Sequence, residues 1–600
     1  MSTHETGPAG DGAHEAARYA ELAERSRRIG AAILERRMRE VSGQEFSLID
    51  YAGVTRAFQQ FGAQLLADPR RLVQAQTAFW RDYAALWHNT LQAFETGTLD
   101  PVVPVDGTDR RFKDKAWQAD PIFGHLQQNF LLAERWLRDL VDHAEGLDPQ
   151  TRRKVAFYTR QWLAALSPSN HPLTNPTVLE RIKATKGDNL WQGLQHLLDD
   201  LERGEGRLQI RMTDETAFEV GRNLAVSPGR VVFQNELMQL IQYAPATETV
   251  YKRPLLIVPP WINKYYILDL QPKNSFVKYL VEQGHTVFLI SWVNPSEELA
   301  HKTFEDYMHE GPLAAIDAIE QATGEREVNL LGFCIGGILT VVTLAWLAAR
   351  REKRVASATL LASMVDLADI GEAAVFIDDD QLAAMEKHMA EKGYLEGHHM
   401  ADMFSMMREN DLIWSFVVNN YLMGREPMAF DLLYWNADAT RLPAAMLLYY
   451  LRHLYMDNAV TRPGGLVLDG TPIDTRKIRL PIYSVATRED HIAPWRSCFP
   501  VTAMTRGKVR FVLGGSGHIA GIVNPPDRGK YGFWTSDEAA ADPDSWLEGA
   551  THHEGSWWPD WAAWIAPHGG RKLPARVPGE GGLPALEDAP GAYVRAKAPE

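Results

Sequence analysis

The chain has 600 residues, which is too many for one hydrophobic core, so we expect two or three domains. Apolar residues make up 45% of the sequence and charged residues 23%, proportions that are typical of a folded globular protein. The formal net charge of −15 argues against a nucleic-acid backbone as the main partner. The 2 cysteines cannot form a disulfide framework, and no four-ligand Cys/His zinc spacing is present, so we expect a reduced protein without a bound metal.

The first part of the chain is polar or helical in pattern. Residues 1–15 lack an apolar segment, so we expect a disordered N-terminus without a secretory signal. No run of about eighteen apolar residues occurs, so no transmembrane segment is predicted. Residues 16–210 predict a mostly helical domain. Within it, an apolar stripe from Phe79 to Leu91 has helical spacing, and we interpret it as packing inside this domain rather than as a partner-binding face.

The hydrophobic period changes near residue 211. Short β-type runs then alternate with helical stretches, an order that predicts a mostly parallel sheet with helices on its faces. We expect this α/β domain to cover residues 211–568. Residues 366–475 interrupt it with a helical pattern and no strand that fits the sheet, which is the position of a cap. The Pro- and Gly-rich residues 569–600 predict a mobile tail.

The segment 328–337 contains the candidate nucleophile. An apolar run ends in Gly332-Phe333-Cys334-Ile335-Gly336, and a second apolar run follows it. Strand, sharp turn and helix in this order form a nucleophile elbow, here with cysteine in the position of serine. The thiol would lie at a helix N-terminus, which favours the thiolate. The alternative interpretation is a buried structural cysteine in a strand-to-helix turn.

An acid and a base follow the elbow in the order that α/β-hydrolase folds use. Asp490 comes four residues after the end of the apolar run 482–486, and His518 comes after the run 509–513. Glu489 and His491 flank the acid. We favour Asp490 over Glu489 because the shorter carboxylate is placed more rigidly, and we leave His491 as either structural or site-lining. The sequence therefore predicts an α/β-hydrolase fold with the catalytic residues Cys334, Asp490 and His518.

A developing oxyanion needs two backbone donors. We expect one to be the N–H of Ile335, directly after the nucleophile, and the other to come from the loop after the run 255–258, at Trp261 or Ile262. The choice of cysteine suits a thioester, because attack of a thiolate on an oxygen ester is uphill whereas thioester exchange is nearly isoenergetic. We therefore expect an acyl-CoA substrate and a covalent S-acyl enzyme.

The remaining histidines and the second cysteine have no strand-end position. We interpret the pairs His398-His399 and His552-His553 as surface residues. Cys498 lies in a helical stretch and is interpreted as part of the core.

Several segments resemble the poly(3-hydroxyalkanoate) synthases. They are 220–225 (VGRNLA), 258–270 (VPPWINKYYILDL), 332–337 (GFCIGG), 431–436 (DLLYWN), 488–491 (REDH), 517–521 (GHIAG) and 555–559 (GSWWP). The resemblance covers residues from about 110 to about 565, and the turn 167–172 departs from the family pattern after Asn170. Phe333, the chain length and the single long polypeptide resemble class I, which prefers short-chain (R)-3-hydroxyacyl-CoA.

The resemblance implies a role for each site residue. Cys334 would be the acylated nucleophile, and His518 the base that forms its thiolate. Asp490 would activate the 3-hydroxyl of the incoming or growing chain, whereas the triad logic assigns it only the orientation of His518. Both roles stay open at this point.

The resemblance also implies partners and a location. It implies a homodimer and a cap that opens for substrate and polymer. No cofactor is expected, because the CoA thioester is a substrate. It places the protein in the cytoplasm, on polyester granules with their associated proteins. Two other functions remain as alternatives: a cysteine-dependent α/β hydrolase that cleaves thioesters or lactones, and a non-catalytic granule-associated protein.

Overall fold

The computed structural model of the protein describes residues 9–42, 45–538 and 540–597. They separate into two compact units. Met1–Thr213 together with Arg408–Met428 form the helical unit, and Asp214–Met407 together with Ala429–Glu600 form the α/β unit. Among the described residues, no helix is long and apolar enough to cross a membrane.

The helical unit is built from α-helices that frequently start at an Asp-Pro pair. The carboxylates of Asp68, Asp120 and Asp148 each accept a backbone N–H of the next turn, and proline follows as the first helical residue. The described helices are α1 (Ala9–Val41), α2 (Tyr51–Ala67), α3 (Pro69–Thr96), α4 (Ala116–Ala119), α5 (Pro121–Asp142), α6 (Pro149–Leu166), α7 (Pro176–Thr185) and α8 (Asp188–Arg203).

The N-terminal disorder that the sequence predicts does not extend to residue 15. Residues 1–8 lie outside the described residues, but 9–15 already form the start of α1. Ala9, Ala13 and Glu15 favour a helix, Gly10 and Gly12 oppose it, and the long helix behind them removes the cost of nucleation.

The apolar stripe of α3 is divided between the domain interior and the surface. Leu86 is fully buried, and the ring centroid of Phe79 lies 5.3 Å from that of Trp136 on α5. Trp80 and Leu91, however, are 62% and 63% exposed. The stripe is therefore wider than the face that packs inside this unit.

The expected cap, 366–475, does not stay together as one segment. Residues Arg408–Met428 belong to the helical unit. There the hydroxyl of Tyr421 donates to Asp200 Oδ2 at 2.7 Å, and a Cβ added to Gly193 would lie 1.8 Å from the Tyr421 carbonyl oxygen. The missing side chain at Gly193 lets this segment pack directly on α8, an approach that the helical pattern alone does not reveal.

The α/β unit contains one large sheet and several small ones. Its strands are β1 (Gly229–Gln234), β2 (Met238–Tyr243), β3 (Thr249–Tyr251), β4 (Leu255–Val258), β5 (Val287–Trp292), β6 (Val328–Phe333), β7 (Val355–Leu361), β8 (Tyr394–Leu395), β9 (Leu442–Pro443), β10 (Val467–Leu468), β11 (Thr471–Pro472), β12 (Ile482–Thr487), β13 (Val509–Gly514), β14 (Phe533–Thr535), β15 (Thr551–His553), β16 (Lys572–Pro574) and β17 (Glu587–Asp588). Within the described residues the large sheet has 11 strands in the order β15-β14-β13-β12-β7-β6-β4-β5-β2-β1-β17.

The helices of the α/β unit follow its strands or lie in the insertion. They are α9 (Phe276–Glu282), α10 (Phe304–Met308), α11 (Ala314–Thr323), α12 (Ile335–Ala349), α13 (Asp379–Lys392), α14 (Gly397–Met407), α15 (Asp431–Ala437), α16 (Ala444–Tyr449), α17 (Trp495–Cys498), α18 (Val501–Met504), α19 (Pro543–Glu548) and α20 (Trp558–Ile565).

The centre of the large sheet is parallel, and this fixes where the site forms. Strands β5, β4, β6, β7, β12 and β13 pair in parallel, with their residues almost all buried. Val258 pairs with Gly332, and Thr487 pairs with Gly514, so β4, β6, β12 and β13 end at the same edge. The residues that follow these strands therefore meet at one end of the sheet.

Residues 569–600 are not a mobile tail as far as they are described. Strand β16 pairs with β3, and β17 pairs with β1 at the edge of the large sheet. The N–H of Leu586 donates to the Val231 carbonyl at 2.8 Å. An edge strand exposes unpaired backbone groups, and this Pro- and Gly-rich segment satisfies part of them despite its composition.

Candidate active site

Cys334 lies on a strained turn between β6 and α12. Its φ and ψ are 53° and −123°, a combination that costs a non-glycine residue energy and occurs where a nucleophile must project from a sharp turn. The Cys334 N–H donates to the Leu361 carbonyl at 2.9 Å, which ties the turn to β7. The thiol is half-buried at the first turn of a 15-residue helix, whose N-terminal partial charge stabilises a thiolate.

The glycines of the elbow are required by close contacts with neighbouring atoms. A Cβ at Gly336 would lie 2.2 Å from the Val258 carbonyl oxygen and 2.7 Å from that of Pro259. A Cβ at Gly337 would lie 1.8 Å from Ser363 Oγ. The elbow is therefore packed directly against the loop that leaves β4.

Replacing Gly336 with alanine is expected to displace this turn, because the clashing atoms are backbone oxygens that cannot rotate away. We expect a loss of about 1–3 kcal/mol in the free energy of unfolding and at least about a tenfold slower alkylation of Cys334 by iodoacetamide as the thiol moves from its base. Thermal unfolding and labelling rates measure both. The control is Gly62→Ala on α2, where no atom lies within 4 Å of the added Cβ. It should lower neither the free energy of unfolding nor the alkylation rate of Cys334. Equal losses in the two variants would contradict the predicted displacement of the turn.

His518 and Asp490 form a buried pair beside the elbow. The Nδ1–H of His518 donates to Asp490 Oδ2 at 2.6 Å. The His518 ring also stacks on Phe333, with centroids 5.5 Å apart. Since Nδ1 is engaged by the carboxylate, Nε2 is the nitrogen that remains for Cys334.

Both oxygens of Asp490 are occupied. Oδ1 accepts the backbone N–H groups of Ile492 and Ala493 at 2.9 and 2.8 Å, and Oδ2 accepts from the Thr487 hydroxyl at 3.3 Å as well as from His518. The carboxyl side chain is 0% exposed. This arrangement fixes the carboxylate to the histidine and leaves it no open face toward a substrate.

The charges around His518 keep it protonated. Burial alone would lower the pKa of His518, but the negative charges of Asp490 and of the Cys334 thiolate, with a hydrogen bond to each, raise the pKa well above its ordinary value. A histidine in this position can hold the proton that Cys334 gives up during attack. The pair is therefore suited to nucleophilic attack.

The two expected oxyanion donors have no competing backbone acceptor. Within the described residues neither the Ile335 nor the Ile262 N–H donates to a backbone carbonyl. The Ile262 loop starts at Pro259, whose carbonyl oxygen contacts the elbow and also accepts the Trp292 indole N–H at 2.9 Å. An oxyanion site requires backbone N–H groups that no backbone carbonyl occupies, and the Ile262 N–H lies on a loop that contacts the elbow.

A buried ion pair supports this loop. Lys264 Nζ lies 2.8 Å from Asp438 Oδ1, with the lysine side chain only 3% exposed, and the hydroxyl of Tyr266 donates to the other Asp438 oxygen at 2.9 Å. Burial lowers the pKa of Lys264, and Asp438 opposes that shift. The indole N–H of Trp435 donates to the Lys264 carbonyl at 2.7 Å, so the segment 431–436 is hydrogen-bonded to the loop that carries Ile262.

Removing Asp438 leaves this lysine buried without its counter-charge. We expect Asp438→Ala to lower the free energy of unfolding by about 3–5 kcal/mol. Glu282→Ala is the control, because it breaks the exposed Lys278–Glu282 pair, which contributes less than about 1 kcal/mol. Urea unfolding followed by tryptophan fluorescence compares them, and similar losses in both variants would refute the structural role of Asp438.

The base loop has its own support from the segment 555–559. The indole N–H of Trp557 donates to the Gly521 carbonyl, and that of Trp558 to the Ile522 carbonyl, both at 2.9 Å. Both tryptophans are 1% exposed. They position the loop that carries His518 and belong to the core.

Two tyrosines near the nucleophile were not predicted from the sequence. Tyr450 and Tyr455 lie on the insertion, with ring centroids 5.3 Å apart. Burial is the main cause that raises the pKa of both phenols, and the charge of Cys334 raises the pKa of each further. The phenols therefore stay protonated and can donate hydrogen bonds near the thiolate, but they occur in a Tyr- and Leu-rich helical run that carries no motif.

The rival residues lie in other environments. Glu489 is exposed, and His491 is half-buried. Cys498 is fully buried at the end of α17, with its thiol 3.8 Å from the Ala493 carbonyl. Of the histidine pairs, His552 is exposed, whereas His399 is buried and was wrongly expected at the surface.

The sheet, the elbow and the strand-end pair define a protein of the α/β-hydrolase fold. The family model described as "alpha/beta hydrolase fold" matches residues 253–525, which confirms the predicted fold class. A second model, described as "Poly-beta-hydroxybutyrate polymerase (PhaC) N-terminus", matches residues 108–280.

Curated relatives specify the family. The chain is 49% identical over 608 residues to the poly(3-hydroxyalkanoate) polymerase of Methylorubrum extorquens, covering 100% of both chains. It is 45% identical over 537 residues to the poly(3-hydroxyalkanoate) polymerase subunit PhaC of Cupriavidus necator, covering 88% of this chain and 89% of the relative. The chain therefore belongs to the poly(3-hydroxyalkanoate) polymerase family and is an enzyme, as the sequence resemblance predicted.

Proposed function

We propose that this enzyme polymerises short-chain (R)-3-hydroxyacyl-CoA, such as (R)-3-hydroxybutyryl-CoA, into a polyester with release of CoA. The observation that carries the proposal is the constellation of Cys334, His518 and Asp490 at three strand ends, in a chain related over its whole length to poly(3-hydroxyalkanoate) polymerases. The preference for short acyl chains rests on the class I resemblance around Phe333.

The proposed first half-reaction acylates Cys334. His518 Nε2 holds the proton that leaves Cys334, and the thiolate attacks the thioester carbonyl of the substrate. The developing oxyanion accepts the N–H groups of Ile335 and Ile262. The carbon–sulfur bond to CoA then breaks, and the CoA sulfur takes the proton from His518, which leaves an S-acyl enzyme.

The proposed second half-reaction forms the ester. His518 accepts the proton of a 3-hydroxyl from a second acyl group, whose oxygen attacks the S-acyl carbonyl. The carbon–sulfur bond to Cys334 breaks, an ester forms, and the proton returns to the thiolate. Asp490 orients His518 through both steps, since its two oxygens already accept four hydrogen bonds. Tyr450 and Tyr455 would exclude water and donate to the bound acyl group.

The same proposal includes the assembly and location implied by the family resemblance. The enzyme would act as a homodimer on the surface of polyester granules in the cytoplasm, with its cap residues moving aside for substrate. Sedimentation of the purified chain tests the dimer, and co-fractionation with polyester tests the location.

The direct test is incubation of the purified chain with (R)-3-hydroxybutyryl-CoA. We expect CoA thiol release together with insoluble polyester, at a higher rate than with (R)-3-hydroxydecanoyl-CoA. CoA release that leaves only free 3-hydroxybutyrate would mean that water resolves the acyl enzyme, and the hydrolase alternative would replace the proposal. No CoA release would favour a granule-associated protein without catalysis.

A further inference from the structure

Three metal-ligating side chains meet in the inserted segment of the α/β unit, outside the Cys334 constellation. They are His388 on α13, Glu396 directly after β8, and His399 on α14, and their ligand atoms all lie within 4.8 Å of one another. His388 Nε2 is 2.8 Å from Glu396 Oε2, and His399 Nε2 is 3.7 Å from the same oxygen. The His399 side chain is buried, so the cluster is part of the fold and not a chance surface grouping.

We propose that His388, Glu396 and His399 bind one divalent transition-metal ion, preferentially Zn²⁺. Two imidazole nitrogens and one carboxylate oxygen form a donor set that suits zinc, with a fourth position open for water. Tetrahedral bonds of about 2.0–2.1 Å place ligand atoms about 3.3 Å apart. The two distances to the Glu396 oxygen lie on either side of that value, and the two imidazole nitrogens lie within 4.8 Å of each other, so side-chain rotation would complete the site.

The carboxylate of this cluster is held by side chains on both of its oxygens. Oε2 lies 2.8 Å from His388 Nε2 and 3.7 Å from His399 Nε2. Lys392 contacts the other carboxylate oxygen, Oε1, and leaves Oε2 directed at the imidazoles. Such an outer partner fixes the orientation of a ligand without occupying its metal position.

The position of the cluster indicates a structural role for the ion. It would join α13 to α14 across the turn that contains β8, and β8 pairs with β9 through Tyr394–Pro443 and Leu395–Leu442. Shortly before β9, Thr440 Oγ1 lies 2.6 Å from the carbonyl oxygens of both Trp261 and Ile262. The ion would therefore stabilise the insertion next to the contacts that hold the oxyanion loop.

Zinc titration of the tag-free full-length chain tests this proposal. The chain carries Cys334→Ala, so that the active-site thiolate cannot bind the ion, and is first treated with EDTA and desalted. Isothermal calorimetry with zinc sulfate at pH 7.5 should give one ion per chain, and the zinc absorption edge should report imidazole ligands. Zinc should also raise the midpoint of thermal unfolding.

The variants locate the ion. Glu396→Gln keeps the size of the side chain, and with His388→Ala it should weaken zinc binding at least about 100-fold. The control His398→Ala removes the neighbouring histidine, which is not one of the three ligands, and should bind as the parent chain does. Circular dichroism of the metal-free forms checks that each variant is folded. Absence of zinc binding by the parent chain, or equal binding by the Glu396→Gln and His398→Ala variants, would overturn the proposal.

Discussion

Replacing Cys334 with alanine is expected to reduce kcat/KM for (R)-3-hydroxybutyryl-CoA by about 10⁴-fold or more, because the proposed mechanism places the acyl chain on the Cys334 sulfur. The thiol lies on the turn between β6 and α12 and interacts with His518. Without it, His518 has no thiolate partner. CoA release measures the loss, and intact-protein mass spectrometry should detect an acyl adduct in the parent chain and none in the variant.

The second cysteine provides the matched control. Cys498 is fully buried and donates weakly to a backbone carbonyl at 3.8 Å, so Cys498→Ala should keep the acyl adduct and most of the activity. Substantial polymer formation by the Cys334→Ala enzyme would refute the covalent mechanism. Loss of activity in both variants with normal circular dichroism would mean that activity does not depend on the Cys334 thiol alone.

Replacing Asp490 with asparagine is expected to lower kcat by about 10⁴-fold while the protein stays folded. The amide can keep the contacts of Oδ1 with Ile492 and Ala493, but an NH₂ facing His518 Nδ1 favours the tautomer that carries its proton on Nε2. That nitrogen then cannot accept the proton of Cys334. The conservative control is Glu489→Gln on the exposed neighbour, which should retain activity.

Single-turnover kinetics of the same variant separate the two roles of Asp490. If the carboxylate orients His518, the first CoA release slows together with chain elongation. If it activates only the 3-hydroxyl, the first CoA release stays at the rate of the parent enzyme and elongation alone slows. The second pattern would contradict the role that we assign from the occupied, buried carboxylate.

The Asp490→Asn change should also alter the pH dependence of stability. The pKa of His518 is raised in the folded protein, so its contribution is complete below the unfolded value of about 6.5 and is lost as pH rises through the folded value. The parent chain should therefore lose unfolding free energy over this range. The variant should show a flatter profile in urea unfolding, and parallel profiles would contradict the pairing.

The sequence was sufficient for features that depend on local spacing. The Gly-Phe-Cys-Ile-Gly-Gly elbow and the alternation of strands and helices after residue 211 predicted the α/β-hydrolase fold, and the strand-end positions of Asp490 and His518 predicted which side chains to examine. The sequence alone predicts these positions because a parallel sheet places the carboxyl ends of its strands at one edge, regardless of the length of chain that connects the strands.

The tertiary structure decided what depends on contacts between distant segments. Tyr450 and Tyr455 have no motif, because they reach the nucleophile only through the folding of the insertion. Residues 366–475 are divided between the two units because Gly193 has no side chain and the Tyr421 backbone can pack against it. The order of the tail depends on an open sheet edge. His388, Glu396 and His399 are spaced by the turn around β8, whose geometry brings ligand atoms within 4.8 Å across a spacing that no short zinc motif describes. Composition and periodicity report each segment by itself, whereas these features arise from the free energy of packing one segment on another.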